Sequence, residues 1–160
     1  MTLRQVEAGE GNITLRSLTS VAQALDRHCD IVIYDPGDCK TESSTIAVSL
    51  KFKSSRFEEW PYYLMEMVDD YRATQDPRLF LLPPVKGIDL RLTALLASTV
   101  CALCAESGQA IPAWAQNGYF LIEPWFVSGV EALKATAILE SPLAFRKNNI
   151  FVQENFLTRA

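Results

Sequence analysis

The chain has a single histidine, His28, and no obvious base partner beside it. No G-x-S-x-G nucleophile elbow occurs, so a nucleophilic triad has little support. His28 follows a helix end, where capping the last carbonyls suits it better than catalysis. The seven glycines are scattered at turns, which leaves none for a phosphate-cradling loop or a dinucleotide fingerprint. The four cysteines come without a secretory signal and point to reduced thiols in a cytoplasm. Cys101 and Cys104 form a C-x-x-C, but well inside an apparent helix, away from the N-terminal dipole that activates a redox thiol. Zinc would need two more ligands. Only Cys29, Cys39 and His28 are of that type, and no second C-x-x-C or H-x-x-x-H frames them. The adjacent Asp69 and Asp70 point about 100° apart on a helix and do not converge on an ion. No metal, cofactor or enzymatic activity is expected.

Positive charge is also short. Fifteen Lys and Arg against nineteen Asp and Glu give a net charge of −4, which does not suit a nucleic-acid coat or an anionic-membrane binder. The longest apolar-rich run, Leu90 to Ala105, is broken by Arg91, Thr93, Ser98 and Thr99, and reads as too short and too polar for a membrane span.

What is present is an ordinary globular composition, 49% hydrophobic and 21% charged, long enough to bury a core without staples. Leu15, Leu18, Val21, Ala22 and Leu25 recur at helical spacing, with Arg16, Ser17, Ser20 and Gln23 mostly opposite. Asn12 or Thr14 can cap that helix, and Gly9 and Gly11 suit the end of a preceding one. Ile31 to Tyr34 reads as a strand ended by Asp35-Pro36-Gly37, and the alternation of Ile46, Val48, Leu50 and Phe52 makes Ser44 to Phe52 a second strand. A lone strand pair needs support, which motivates a homodimer formed edge to edge. Helices are predicted over Arg56 to Thr74 (stripe Phe57, Trp60, Leu64, Met67, Val68, Tyr71), Gly87 to Ser107 as the central buried helix, and Val130 to Glu140. A short helical turn follows at Ile111 to Ala115, and Ser141-Pro142 starts a short helix through Ala144-Phe145-Arg146 that Asn148-Asn149 breaks, with Ile150 to Val152 extended. The fold class is mainly α with a small two-stranded β element (α+β).

In Leu3, Val6, Glu7 and Gly9, then Asn12, Thr14, Leu15, Leu18, Val21, Ala22 and Leu25, the first fifth of the chain resembles the second half of a Cro/repressor-type (Xre) helix-turn-helix domain. The resemblance implies the tail of a recognition helix with Thr2, Arg4 and Gln5, and a helix packed behind it that offers Asn12, Thr14 and Arg16 to DNA. The family's first two helices have no counterpart ahead of Met1, which fits a truncated regulator, a fragment or a descendant that lost DNA binding; upstream coding sequence for two more helices would favour the regulator. In residues 1–27, Arg4, Arg16 and Arg27 are cancelled by Glu7, Glu10 and Asp26, although phosphate binding wants a positive surface. From Phe57 onward, Trp60, Tyr71-Arg72, Leu81 to Pro84, Ala94 to Ala97, Pro112-x-Trp114, Pro124-Trp125-Phe126, and Glu140-Ser141-Pro142 through Val152 resemble bacterial regulators found beside AbiEii-type nucleotidyltransferase toxins.

The expected organisation is a partial Xre-type remnant over 1–36 and a helical partner-binding domain over 37–160 that begins with a short β-hairpin. The resemblance implies an antitoxin-like transcriptional regulator. It would bind a cognate protein, a toxin by analogy, and operator duplex DNA, without a membrane. Arg146, Lys147, Asn149 and Trp125 are the partner-binding candidates; Arg91 and Arg159 extend that polar surface. One alternative is a headless interaction subunit without DNA binding. Another is an enzyme with its site among Trp114, Tyr119, Trp125 and Phe126.

Overall fold

The computed structural model describes residues 14–26 and 41–158. The backbone falls into two units, 1–36 and 37–160. Thr2, Arg4, Gln5, Asn12, the Ile31–Tyr34 strand, His28, Cys29, Cys39 and Arg159 lie outside the described residues.

In the first unit, helix α1 (Leu15–Ala24) starts at Thr14, whose hydroxyl oxygen accepts the Ser17 N–H at 3.2 Å. That satisfies one of the free amides at a helix start. The apolar stripe forms as the spacing requires, but it is not closed. No residue of α1 is buried, and Leu15 and Leu25 are 65% and 53% exposed.

The second unit is mainly helical with one two-stranded sheet. Ser44 to Phe52 is not a strand. It forms helix α2 (Thr45–Ser54), capped by the Ser44 side chain on Ala47 N–H. Its buried residues are Thr45, Val48, Ser49 and Phe52, spaced i, i+3, i+4, i+7. Two of those four are hydroxyl residues, so the helical period is hidden behind an accidental alternation of large apolar side chains. The hydroxyls tolerate burial because both are bonded. Thr45 donates to Leu79 C=O (3.1 Å), while Ser49 donates to Ile46 C=O (2.8 Å) and accepts from Val85 N–H (2.9 Å). With no strand here, the hairpin at the start of the domain and the edge-to-edge dimer built on it lose their basis.

A 3₁₀ turn (Phe57–Glu59) leads into α3 (Trp60–Thr74), where Pro61 occupies the first turn and so removes no helical bond. Trp60, Leu64, Met67, Val68 and Tyr71 are buried as a stripe, while Phe57 lies at the surface edge. Helix α4 (Leu90–Ser107) begins at Asp89, which accepts the Arg91 N–H at 2.7 Å, not at Gly87. It ends at Gly108, whose φ of 69° is the left-handed backbone a helix stop favours. Eleven of its residues are buried, among them the small Ala94, Ala97 and Ser98 on the side away from Leu92 and Leu103. Small residues there let neighbours approach from several directions. As a helix this run is long and apolar enough to cross a membrane by length and composition, contrary to the sequence expectation, and 61% of that window is packed inside the unit.

Against α4 pack α5 (Ala113–Gln116) and α7 (Leu143–Arg146), while α6 (Lys134–Glu140) lies against the 150–151 strand. Trp114 of α5 is buried and donates its indole N–H to Phe80 C=O at 2.8 Å. The sheet pairs β1 (Trp125–Phe126) with β2 (Ile150–Phe151) in parallel, Trp125 opposite Ile150 and Phe126 opposite Phe151.

Two substitutions separate the helical from the strand reading of α2. Ser49→Ala deprives the half-buried Val85 N–H of its acceptor and costs about 1 kcal/mol in urea unfolding. Leu50→Ala, on the exposed face, changes stability by less than about 0.5 kcal/mol. A strand with Leu50 inward requires the opposite ranking.

Candidate partner-binding surface

The half-buried Trp125 opens β1, held there by its N–H, which donates to Asn149 C=O at 3.0 Å. Its ring stands edge-on to Trp60, with centroids 6.0 Å apart, and lies 6.4 Å from Phe57. Trp60 in turn packs 6.2 Å from Phe156. The Arg91 guanidinium, from the first turn of α4, sits 5.2 Å from the Phe57 ring and 5.8 Å from Trp125. It also lies 3.6 Å from Asp89, so its charge is balanced on one side and aromatic on the other. Such stacking contributes about 0.5–1 kcal/mol at an exposed site. Phe57 is 37% exposed and the Arg91 side chain about half exposed, so the cluster runs from the core to the surface. Beside it, Phe126 stacks on Phe151 at 5.0 Å, and Lys134 sits 5.3 Å from the Phe126 ring.

The second group is the turn after α7. Arg146 and Lys147 are exposed, whereas Asn148 is buried. Asn148 donates its amide to Ser98 Oγ of α4 at 2.8 Å, accepts Tyr119 N–H at 3.2 Å, and its carbonyl accepts Leu121 N–H at 3.1 Å. Asn149 has a φ of 61°, a left-handed conformation that asparagine adopts more readily than most residues. Its side chain donates to Leu121 C=O at 2.9 Å. Asn149 is half-buried, and its side-chain amide is engaged within the fold. The segment these two asparagines hold carries Phe120 and Ile122, which are 62% and 92% exposed on either side of the buried Leu121.

Of the expected partner residues, the structure joins Trp125 to Arg91 and leaves Arg146 and Lys147 exposed on the adjoining turn. Sequence reasoning marked Phe57 as a core residue and Arg91 as part of the polar surface. No local signal reported that long-range packing would set them together against Trp125.

Of the expected DNA-binding residues, Thr14 and Arg16 are described. Thr14 is spent as a cap, its hydroxyl also 2.9 Å from Ser17 Oγ, while Arg16 is exposed beside Ser17 and Ser20. The four aromatic residues offered as an enzyme site do not gather. Trp114 is turned to Phe80 and Trp125 to Trp60, while Phe126 stacks on Phe151. Burial pushes the Tyr119 phenol pKa up. Among the described residues no group of three His, Cys, Asp or Glu is placed to hold a metal ion. Cys101 and Cys104 are reduced and buried; burial first, and Cys101 second, push the Cys104 thiol pKa up. An open depression of about 490 Å³ is lined by Thr136, Glu140, Gln153, Glu154, Asn155 and Thr158, where Glu154 N–H reaches Glu140 at 3.4 Å.

Comparison with protein-family models, with curated proteins and with solved structures gave no match.

Asn148→Ala removes an amide that serves the buried Ser98 hydroxyl and the half-buried Tyr119 N–H, and lowers unfolding stability by about 2 kcal/mol. A loss below about 0.5 kcal/mol would mean that Ser98 and Tyr119 N–H do not depend on it.

Proposed function

We propose that this chain is an antitoxin-like interaction subunit that docks on a cognate protein through the surface around Trp125, Arg91 and Phe57, with Arg146 and Lys147 at its edge. The observation that carries this reading is the half-exposed Arg91 side chain, whose guanidinium lies over both the Phe57 and the Trp125 ring. Tryptophan and arginine anchors of this kind dominate the energetics of protein interfaces, and cations at a rim steer encounter more than they hold the complex. The exposed Phe120 and Ile122 on the neighbouring segment support the same conclusion, since large apolar groups gain by being covered.

Protein contact is favoured over phosphate contact for α1 as well. Residues 14–26 carry one cation, Arg16, and one anion, Asp26, so no positive field is present there, while Leu15 and Leu25 offer apolar surface. The resemblance to Xre-type regulators supplies the regulatory context of the proposal. Sequestering a protein sterically needs a surface such as this one.

The test is co-expression with the product of the gene adjacent to its own, followed by size exclusion with light scattering and titration calorimetry. A stoichiometric complex is expected, weakened at least about tenfold by Trp125→Ala or Arg91→Ala, and less by Arg146→Ala. Unchanged affinity in both of the first two variants would remove the surface from the account. A salt-sensitive shift of promoter duplex that depends on Arg16, with no protein complex, would replace this reading with operator binding.

A further inference from the structure

Cys101 and Cys104 share α4 but not surroundings. Cys101 lies at the edge of the core, 3% exposed, and donates its S–H to Ala115 C=O at 3.3 Å. Lys147 Nζ approaches the same sulfur to 3.6 Å. This approach is built into the fold. Lys147 N–H closes the end of α7 on Leu143 C=O at 3.1 Å, and the next residue, Asn148, is bonded to Ser98, one turn before Cys101 on α4. The backbone that carries the amine is therefore fastened to the helix that carries the thiol. Among the described residues Lys147 has no carboxylate within ion-pair reach, and the sulfur is its recorded side-chain partner. Cys104 is a poorer partner for Cys101. Side chains three apart on a helix stand about 5–6 Å apart at Cβ, beyond the roughly 3.5–4.5 Å a disulfide needs.

We propose that Cys101 and Lys147 form a sulfenamide crosslink when the protein meets hydrogen peroxide. Peroxide transfers one oxygen to the Cys101 sulfur, giving sulfenic acid and one water; sulfur is oxidised by two electrons and peroxide is reduced by two. The Lys147 nitrogen then attacks that sulfur. An S–N bond forms, the S–O bond breaks, and the hydroxyl leaves as water with one proton from nitrogen, while the second surplus ammonium proton goes to solvent. The product staples the α7 turn to the central helix and removes the Lys147 charge from the surface. An added thiol reverses it by attack on sulfur.

The experiment treats the full chain with hydrogen peroxide and maps it by protease digestion and mass spectrometry. The expected product is a joined peptide containing Cys101 and Lys147, about 2 Da lighter than its parts and separated by dithiothreitol. It forms equally in Cys104→Ala and is absent in Lys147→Arg, which keeps the charge but not the nucleophile. The proposal is overturned if Cys101 stays unmodified, proceeds only to sulfinic or sulfonic acid, or pairs with Cys104. A joined peptide that retains an oxygen atom overturns it too. The wild-type mass decides the matter if a variant fails to fold.

Discussion

The buried amide of Asn148 joins parts of the chain that are distant in sequence. It reaches back to Ser98 on the central helix and holds the main chain at Tyr119, while its own carbonyl takes Leu121 N–H. A segment without regular structure cannot lie against a core unless its N–H and C=O groups are satisfied. Asn148 and Asn149 supply those partners for residues 119–125. The same turn sets the start of the parallel strand pair, because Asn149 C=O accepts Trp125 N–H and Phe151 C=O accepts Val127 N–H at 3.1 Å. The Trp125 backbone is thus held by hydrogen bonds, and its ring packs beside Trp60, Phe57 and Arg91.

Packing around α4 supports the elements that carry the anchor. Phe145 of α7 is fully buried, and Ser141 at the end of α6 donates to Ile150 C=O at 3.3 Å and accepts Val152 N–H at 3.2 Å. From the other side, Tyr71 packs 4.4 Å from Phe80 and bonds Ser107, and Arg72 grips Glu106 and Leu157 C=O. Interfaces of this plan gain affinity from groups that need no reordering on binding.

Much of this architecture was legible in the residues. The stripe of α3, the Thr14 cap and the central place of Leu90–Ser107 follow from spacing and from capping chemistry. The α2 error has a physical reason. Burial of Thr45 and Ser49 depends on acceptors at Leu79 and a donor at Val85, some 34 and 36 residues away, and no local window contains them. The asparagine pair was legible as a break but not as a clamp. The likeness of the two residues in sequence conceals that one is buried and one left-handed. For the surface, each of Trp125, Arg91, Arg146 and Lys147 was recognisable by type. Their grouping was not, because it is decided by the register of β1 on β2. Of the residues that carry the Xre-type resemblance, Leu3, Val6, Glu7, Gly9 and Asn12 lie outside those described, while Thr14, Leu15, Leu18, Val21, Ala22 and Leu25 form a capped helix with none of its residues fully buried.

Amide hydrogen exchange on the free protein tests the central claim most directly. If the asparagine turn fixes the 119–127 segment to the core, the amides of Tyr119, Leu121, Trp125 and Val127 exchange at rates close to those of the α4 interior, and Asn148→Ala releases the Tyr119 and Leu121 amides together. Fast exchange of these amides in the wild-type protein, at the rates of an open loop, would contradict it.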